Sequence, residues 1–263
     1  AIISSQGSRL IWRNEEIRIQ DILKKQCQNG DIGNTLDFPI SPHANNKNDC
    51  VQFNLNSARK SLDKKPDDLF LYGSIQAWDY ESAIEYSKEI ASYPFDGFAI
   101  GGLVQFSREP QKVIDIVAGV RKIIPDEKPV HAFGVASPTL IPILVKLGVD
   151  TFDSSSYIRL SLDRKYYLRL CGEKMTVSEE MDKMNAPCFC PICKDNIMST
   201  FAQATIRSYA LLSLHNLHEI EAFFRYCRIL IAEGRLEILV KSTLKRYGDK
   251  FDLQKVRKYL EKD

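Results

Sequence analysis

Short apolar runs alternate with amphipathic stretches along the first 153 residues of the chain. The runs have the length of buried strands, and the stretches between them place apolar side chains at helical spacing. A strand followed by a helix, repeated several times, predicts a parallel sheet with right-handed crossovers. The predicted strands are Ile32–Phe38, Leu69–Gln76, Gly97–Gly101, Val130–Val135 and Val149–Asp153.

Helices are predicted at residues 57–65, 80–92, 108–124 and 137–148. The last of these has Ser137 as an N-cap, Pro138 at the first helical position and Gly148 at its end. The polar segment 154–196 is predicted to be irregular. Beyond it, residues 198–232 predict one long helix that Gly234 ends, and residues 236–263 predict a charged helical pair.

Two architectures fit repeated strand–helix units, an open doubly wound sheet and a (β/α)8 TIM barrel. The sequence contains neither G-x-G-x-x-G nor a P-loop, which weakens the doubly wound alternative. Five predicted strands cannot close an eight-stranded barrel, and Ala1 lies in a predicted loop. We therefore expect an α/β TIM barrel whose N-terminal strands, about three strand–helix units, are missing from this chain.

Three cysteines and a histidine form the most specific motif of the chain. Cys188, Cys190 and Cys193 spell C-x-C-x2-C, and His215 follows after 21 intervening residues. Three thiolates and one imidazole suit a closed tetrahedral Zn²⁺ site, and His218 is a competing fourth ligand. Four protein ligands leave no position for a catalytic water, so we expect one structural zinc ion that joins the cysteine loop to the long helix.

These patterns divide the chain into three predicted parts. They are residues 1–153, the C-terminal part of a barrel; residues 154–235, a zinc-binding subdomain with the last barrel helix; and residues 236–263, a basic helical tail.

Composition narrows the protein class only moderately. The chain has 263 residues, is 44% hydrophobic and carries a net charge of +2, which excludes an overall basic coat of the kind that binds nucleic acid. No apolar run approaches the roughly 18 residues that span a membrane. Seven cysteines, three of them in one motif, fit a reducing compartment. We expect a cytoplasmic protein without a membrane segment, in which the other four cysteines are free thiols.

Polar residues and glycines follow the predicted strands where a parallel barrel collects its functional groups. Individually, an Asp at a strand end is often a turn former, and paired glycines often serve a tight turn. Together they predict a site at one edge of the sheet. The residues concerned are Asp37, Gln76, Gly101, Gly102, Gly134 and Asp153.

Six segments resemble the tRNA-guanine transglycosylase family and occur in that family's order over roughly residues 30–235. They are YGSIQ, FDGFAIGGL, KPVHAFGVASP, GVDTFD, CFCPIC and LHN. The resemblance implies a (β/α)8 barrel with a zinc subdomain, and LHN favours His215 over His218. It also implies exchange of a guanine in nucleic acid for a 7-deazaguanine of the preQ0, preQ1 or queuine type.

The resemblance assigns roles to the residues at the strand ends. Asp153 matches the family's nucleophile, which forms a covalent intermediate with the ribose. Asp37 matches the carboxylate that accepts two hydrogen bonds from guanine. The remaining matched substrate-binding residues are Gln76, Gly101, Gly102, Leu103, Phe133 and Gly134. The target nucleotide must leave its stack to enter such a pocket.

One family motif is not matched. The family carries an Asp-Ser-Gly-Gly motif whose Asp acts in acid/base chemistry, and the nearest segment, SSQGS at residues 4–8, differs from it. We expect that motif before Ala1; the alternative is a family member that has lost the base. The 263 residues alone are accordingly expected to bind zinc but to show little or no exchange.

The predicted partners are tRNA, favoured over DNA, and a free 7-deazaguanine base. The segment DSSSYIR departs from the bacterial tRNA type and favours the archaeal-like or DNA-modifying branches. The family implies a homodimer or heterodimer, so a non-catalytic partner subunit is an alternative, as is an unrelated α/β barrel enzyme. Basic and tyrosine residues after Asp153 fit phosphate contacts or a solvated loop equally well; they are Tyr157, Arg159, Arg164, Lys165, Tyr166, Tyr167 and Arg169.

Overall fold

The computed structural model describes residues 18–168, 172–178, 188–196 and 198–261, together with the backbone of three short strands before residue 18. The fold is mixed α/β, and the chain forms two compact units. The first unit contains residues 1–135, 147–152 and 250–263, and the second contains residues 136–146 and 153–249. The three-part division that the sequence predicts stays a prediction.

The described strands and helices are as follows. The strands are β1 (Ile2–Ile3), β2 (Ile11–Trp12), β3 (Glu15–Glu16), β4 (Ile32–Asn34), β5 (Phe70–Gln76), β6 (Gly97–Gly101), β7 (Val130–Ala132), β8 (Thr151–Phe152), β9 (Lys165–Tyr167) and β10 (Lys174–Thr176). The helices are α1 (Ile19–Asn29), α2 (Lys47–Leu62), α3 (Tyr80–Ile90), α4 (Pro110–Arg121), α5 (Ile141–Lys146), α6 (Ser156–Leu162), α7 (Met198–Ala202), α8 (Ile206–Ala232), α9 (Leu236–Tyr247) and α10 (Leu253–Leu260).

A six-stranded sheet in the order β1-β4-β5-β6-β7-β8 forms the centre of the first unit. All five pairings are parallel. The strands follow one another in chain order, without the reversal that marks a doubly wound sheet, so the order favours the barrel alternative. The five predicted strands are confirmed as β4 to β8, although β4, β7 and β8 are shorter than predicted. The loop predicted at Ala1 lies outside the described residues, and the next two residues form β1, which pairs with β4. The eight-stranded closure stays a prediction.

Helices α3 and α4 supply apolar side chains to the core of the first unit. Helix α3 begins with a capping box, in which Asp79 Oδ1 accepts from Ser82 N at 2.8 Å and Ser82 Oγ accepts from Asp79 N at 3.0 Å. Pro110 opens α4 at a position where its missing N–H costs nothing. The fully buried core side chains of this unit include Leu71, Ile75, Ile90, Phe95, Ile100, Ile114, Ile116, Val117, Val120 and Val130.

The helical pair predicted for residues 236–263 is observed as α9 and α10, and α10 belongs to the first unit. The Tyr259 ring stacks on Tyr80 with ring centroids 5.4 Å apart, and Lys255 Nζ lies 2.8 Å from Asp115 Oδ2. Val256 is fully buried. Helix α10 is therefore attached to α3 and α4 by stacking, an ion pair and one apolar anchor.

The second unit corrects two predictions. Residues 154–196 are not irregular throughout, because they contain α6 and the antiparallel pair β9–β10. The predicted helix at residues 198–232 is interrupted between α7 and α8. At the break, the Arg164 guanidinium donates to the carbonyls of Phe201 and Gln203, and Thr205 Oγ1 accepts from Ser208 N at 3.1 Å. The chain thus ends one helix and caps the next within a few residues.

Among the helices that the structure describes, none is both long enough and apolar enough to cross a membrane.

Candidate active site and metal site

Asp37 and Gln76 meet at the carboxyl edge of the six-stranded sheet. Gln76 is the last residue of β5, and its Nε2 donates a hydrogen bond to Asp37 Oδ2. Both side chains are buried. Helix α2 fixes the segment that carries Asp37, because Asn54 Oδ1 accepts from Phe38 N at 2.6 Å and Ser57 Oγ donates to Leu36 O at 2.6 Å. The carboxylate and the amide are therefore held by their surroundings and by each other.

Two glycines at the end of β6 bring the backbone close to this pair. A Cβ on Gly101 would overlap Gln76 Nε2 and would lie 3.3 Å from Asp37 Oδ2. Gly102 has φ of 73°, a left-handed conformation that favours glycine, and a Cβ there would lie 2.7 Å from Gln76 Oε1. That oxygen is buried and has no hydrogen-bond partner among the described residues. An unused acceptor thus lies beside backbone that carries no side chain.

Leu103, Phe133 and Gly134 extend the same edge of the sheet. Leu103 is fully buried at the start of a single 3-10 turn (Leu103–Phe106). Phe133 N donates to Ile100 O at 3.0 Å, and the Phe133 ring meets His131 edge-on with centroids 4.4 Å apart. Gly134 also has φ of 73°, and a Cβ there would overlap Val104. All seven predicted substrate-binding residues therefore lie at strand ends within the first unit.

The electrostatics of Asp37 are unusual for a carboxyl group. Burial raises its pKa from 3.8 to about 6, although the hydrogen bond from Gln76 acts in the opposite direction. A ligand that donates hydrogen bonds to the ionised form of such a carboxyl group stabilises the buried charge. Guanine offers two adjacent N–H donors of this kind, so the pair can act as a receptor for a purine edge.

Asp153 directly follows β8 in the chain and is exposed. It belongs to the second unit, whereas Asp37 and Gln76 belong to the first. The prediction that Asp153 and Asp37 serve one pocket therefore stays a prediction.

The predicted metal ligands do come together in the second unit. Ligand atoms of Cys188, Cys190, Cys193 and His215 lie within 4.8 Å of one another, and all four residues are buried. His215 Nδ1 lies 3.6 Å from Cys190 Sγ and 3.3 Å from Cys193 Sγ. Three sulfur atoms and one imidazole nitrogen at these separations could hold a metal ion.

The orientation of His215 decides between the two candidate histidines. Its Nε2 lies 2.9 Å from Tyr167 O and must donate to that carbonyl, which leaves Nδ1 as the nitrogen that faces the sulfur atoms. The next residue, Asn216, binds the same strand through Oδ1, which accepts from Tyr167 N at 3.0 Å. His218 is not among the four clustered residues. The LHN segment therefore supplies one candidate metal ligand, His215, and one residue that holds β9, Asn216.

Aromatic and acidic side chains surround the four ligands. Tyr166 stacks on the His215 ring with centroids 3.7 Å apart, and its hydroxyl lies 3.0 Å from Cys193 Sγ. Cys188 Sγ donates to Glu219 Oε1 at 3.1 Å. Burial raises the pKa of the Cys188 thiol to about 12 and lowers the pKa of His215. A bound cation would offset this burial by favouring the thiolate form.

Comparison with known proteins identifies the family. A model of the queuine tRNA-ribosyltransferase family matches residues 2–249. The chain belongs to this family. The predicted membership of the tRNA-guanine transglycosylases is thereby confirmed, and the alternative of an unrelated barrel enzyme is excluded.

Three archaeal relatives of this transglycosylase-family chain carry the name tRNA-guanine(15) transglycosylase. The protein from Methanococcus aeolicus is 29% identical over 252 residues, 91% of this chain and 38% of the relative. The one from Sulfolobus acidocaldarius is 31% identical over 217 residues, 78% of this chain and 42% of the relative. The one from Methanocaldococcus jannaschii is 28% identical over 275 residues, 99% of this chain and 41% of the relative. The chain thus spans about two fifths of the length of these relatives.

For three of the seven basic and tyrosine residues that follow Asp153, the structure shows a packing role instead of either predicted alternative. Arg164 binds carbonyls at the α7–α8 break and stacks on Tyr209, with its guanidinium carbon 4.2 Å from the ring centroid. Tyr166 and Tyr167 are buried. These three residues stabilise the second unit and are not placed for phosphate contacts or base stacking. Arg169 lies outside the described residues.

Several residues that build the two sites escape sequence reasoning. Asn54 and Ser57 support Asp37 from a helix of low amphipathicity, and no local pattern marks them. Tyr166 stands in a segment predicted to be irregular. Glu219 does carry a signal, because it follows His215 by four residues and therefore shares its face of α8.

Proposed function

We propose that the protein containing this chain is a base-exchange transglycosylase, which replaces a guanine in tRNA with a 7-deazaguanine. The observation that carries the proposal is the buried Asp37–Gln76 pair beside the side-chain-free backbone of Gly101 and Gly102. Membership of the queuine tRNA-ribosyltransferase family supports the reaction type.

Guanine would enter this pocket with its N1–H and 2-amino group directed at the Asp37 carboxylate. Such a bidentate contact is strong, because both bonds involve the ionised acceptor. Gln76 would contribute the remaining polar contact. The glycines allow backbone groups to approach the base edge, and Leu103, Phe133 and Gly134 would form the wall against the purine. The burial of Asp37 supports this arrangement, since a desolvated carboxylate discriminates strongly against ligands that lack the two donors.

Asp153 would be the nucleophile. Its carboxylate oxygen attacks C1′ of the ribose, the C1′–N9 bond breaks, and the bonding electrons leave with guanine, which takes up a proton. N9 of the incoming 7-deazaguanine then attacks C1′, the bond to Asp153 breaks, and the N9 proton is released. The polynucleotide strand stays intact, because no phosphodiester bond takes part.

We propose that the cysteine and histidine ligands hold one Zn²⁺ ion. Tetrahedral zinc with ordinary bond lengths places two sulfur ligands about 3.8 Å apart and a sulfur and a nitrogen about 3.6 Å apart. The separations of 3.6 and 3.3 Å between His215 Nδ1 and the sulfur atoms of Cys190 and Cys193 support that fit. The ion would have a structural role, since four protein ligands fill its coordination shell. His215 and the cysteine segment then hold β9 against α8.

The names of the archaeal relatives favour tRNA as the polymer and guanine 15 as the position. They favour an archaeosine-type over a queuine-type product, which makes preQ0 the first 7-deazaguanine to test. Exchange on duplex DNA is the second candidate, supported by the DSSSYIR segment. The family also supports dimerisation, as a homodimer or with a second family member that lacks the chemistry.

Incorporation of radiolabelled guanine tests the reaction and separates the polymers. The protein containing this chain is incubated with labelled guanine and either tRNA or duplex DNA, and label in the polymer is counted. We expect label in tRNA and none in DNA, and we expect Asp153→Asn to abolish it. Label in neither polymer would remove the proposal, label in DNA alone would change the substrate, and label unaffected by Asp153→Asn would remove the nucleophile.

A further inference from the structure

Lys47 and Trp78 lie at the sheet edge that carries Asp37 and Gln76. Trp78 follows Gln76 by two residues, and Lys47 is the first residue of α2. The same helix supports the Asp37 segment through Asn54. Lys47 Nζ lies over the Trp78 ring, 5.0 Å from its centroid. The pair is therefore built by the two elements that form the base pocket.

Further contacts hold the backbone of Trp78 and the segment that leads to Lys47. Trp78 N donates to Ser82 Oγ at 3.1 Å, which ties the tryptophan to the capping box of α3. The segment between Asp37 and Lys47 is tied to the turn after β6, because Gln105 Nε2 donates to Ile40 O at 3.2 Å. The ammonium group therefore lies at the first residue of the helix that supports the Asp37 segment, over a ring that follows Gln76 by two residues.

The charge of Lys47 has no acidic partner among the described residues. No carboxylate in that part of the chain lies at ion-pair distance from its Nζ, which contacts the face of the Trp78 ring. An aromatic face attracts an ammonium group without removing its three N–H donors. Such a group is suited to an external anion.

A nucleotide brings its anions to the mouth of a base pocket. Its base is neutral and can enter beside Asp37, whereas the phosphates on the ribose stay outside and need a cation. We propose that Lys47, held on Trp78, binds a phosphate of the nucleotide whose guanine enters the pocket. The ligand class is a guanosine nucleotide with phosphate on its ribose, as in a polynucleotide strand. This inference rests on the proposed function.

Three ligands separate the phosphate contact from the base contact: guanine, guanosine and guanosine 3′,5′-bisphosphate, titrated by calorimetry. Lys47→Gln should weaken the bisphosphate about three- to tenfold, the range of one charge-assisted contact. It should leave guanine and guanosine unchanged. Lys60→Gln, at the exposed far end of the same helix, is the matched control and should change none of the three affinities.

Trp78 supports phosphate binding through its contact with Lys47, and the salt dependence of affinity tests this role. With a guanine-containing oligonucleotide, Lys47→Gln should lower the slope of log affinity against log salt by about 0.7–0.9, the value for one phosphate contact. Trp78→Leu should lower the same slope and leave the affinity for guanine unchanged. A thermal unfolding measurement checks that this variant is folded.

The possible outcomes separate this inference from the proposed function. If Lys47→Gln behaves as Lys60→Gln does, or if the unmodified protein binds the bisphosphate no better than guanosine, the inference is wrong. If guanine binds but Asp37→Asn does not weaken it, or if guanine does not bind, the proposed base pocket fails, and the inference fails with it.

Discussion

The burial of Asp37 lowers the stability of the folded protein at neutral pH. Its pKa is raised from 3.8 to about 6, so the fold favours the neutral form. The unfolded chain loses its proton near pH 4 and the folded chain near pH 6, and the free energy of unfolding falls across that interval by up to about 3 kcal/mol. This loss is complete at pH 7, where the pocket holds a buried charge.

Asp37→Asn should therefore stabilise the protein at neutral pH while weakening guanine binding. Urea unfolding at pH 4 and pH 7 measures the first effect. We expect a variant that is more stable than the original protein at pH 7, with the difference shrinking towards pH 4. A variant whose stability runs parallel to the original at both values would show that Asp37 does not carry this burial cost.

Guanine affinity should depend on pH through the same group. The ionised carboxylate accepts both donors of the base, and a protonated carboxyl group cannot. Affinity should be flat above pH 6 and fall about tenfold for each unit below it. Titration calorimetry between pH 5 and 8 measures this. An affinity that is constant down to pH 5 would place the base elsewhere.

The elements differ in how much of their structure the sequence can predict. Strand β6 is buried along its whole length and β5 is buried from Leu71 to Gln76, and the sequence places the C-terminal ends of both strands correctly. The break between α7 and α8 depends on Arg164, which is 39 residues before Gln203 in the chain, and no local pattern contains such a partner. The same holds for β9–β10, because Tyr166 on β9 is buried against α8 and the cysteine segment.

Thr205 gives a test of that helix break. Its hydroxyl caps the first turn of α8, because Thr205 Oγ1 accepts a hydrogen bond from Ser208 N. Thr205→Ala should lower the free energy of unfolding by about 1 kcal/mol, whereas Thr205→Ser should cost much less because it keeps the hydroxyl. Chemical denaturation measures both. Equal stability of all three proteins would contradict the capping role.

The four candidate metal ligands also connect elements, because they join the cysteine segment to α8 and β9. Cys190→Ser should lower bound zinc well below one ion per chain and lower the thermal unfolding temperature. His218→Ala should leave both unchanged, since His215 faces the sulfur atoms and His218 does not belong to the cluster. Metal analysis of the purified variants is decisive. Full zinc content in Cys190→Ser would make the ligand set wrong.

At the scale of the whole molecule, the sequence predicts which residues form the proposed base pocket, but it does not predict where the proposed nucleophile lies relative to them. Parallel strands bring their carboxyl ends to one edge, so Asp37 and Gln76 could be placed together although 39 residues separate them. Asp153 belongs to the other unit, and strand periodicity carries no information on how two units combine. Its role comes from the GVDTFD segment and the family.

The covalent intermediate is the most direct test of that role. The protein containing this chain is incubated with tRNA and denatured before any free 7-deazaguanine is added. The mixture is then digested with protease and nuclease and examined by mass spectrometry. The account predicts a ribosyl adduct on the peptide that contains Asp153, absent from Asp153→Asn and lost when free 7-deazaguanine is added before denaturation. An adduct on another residue, or exchange without any adduct, would contradict it.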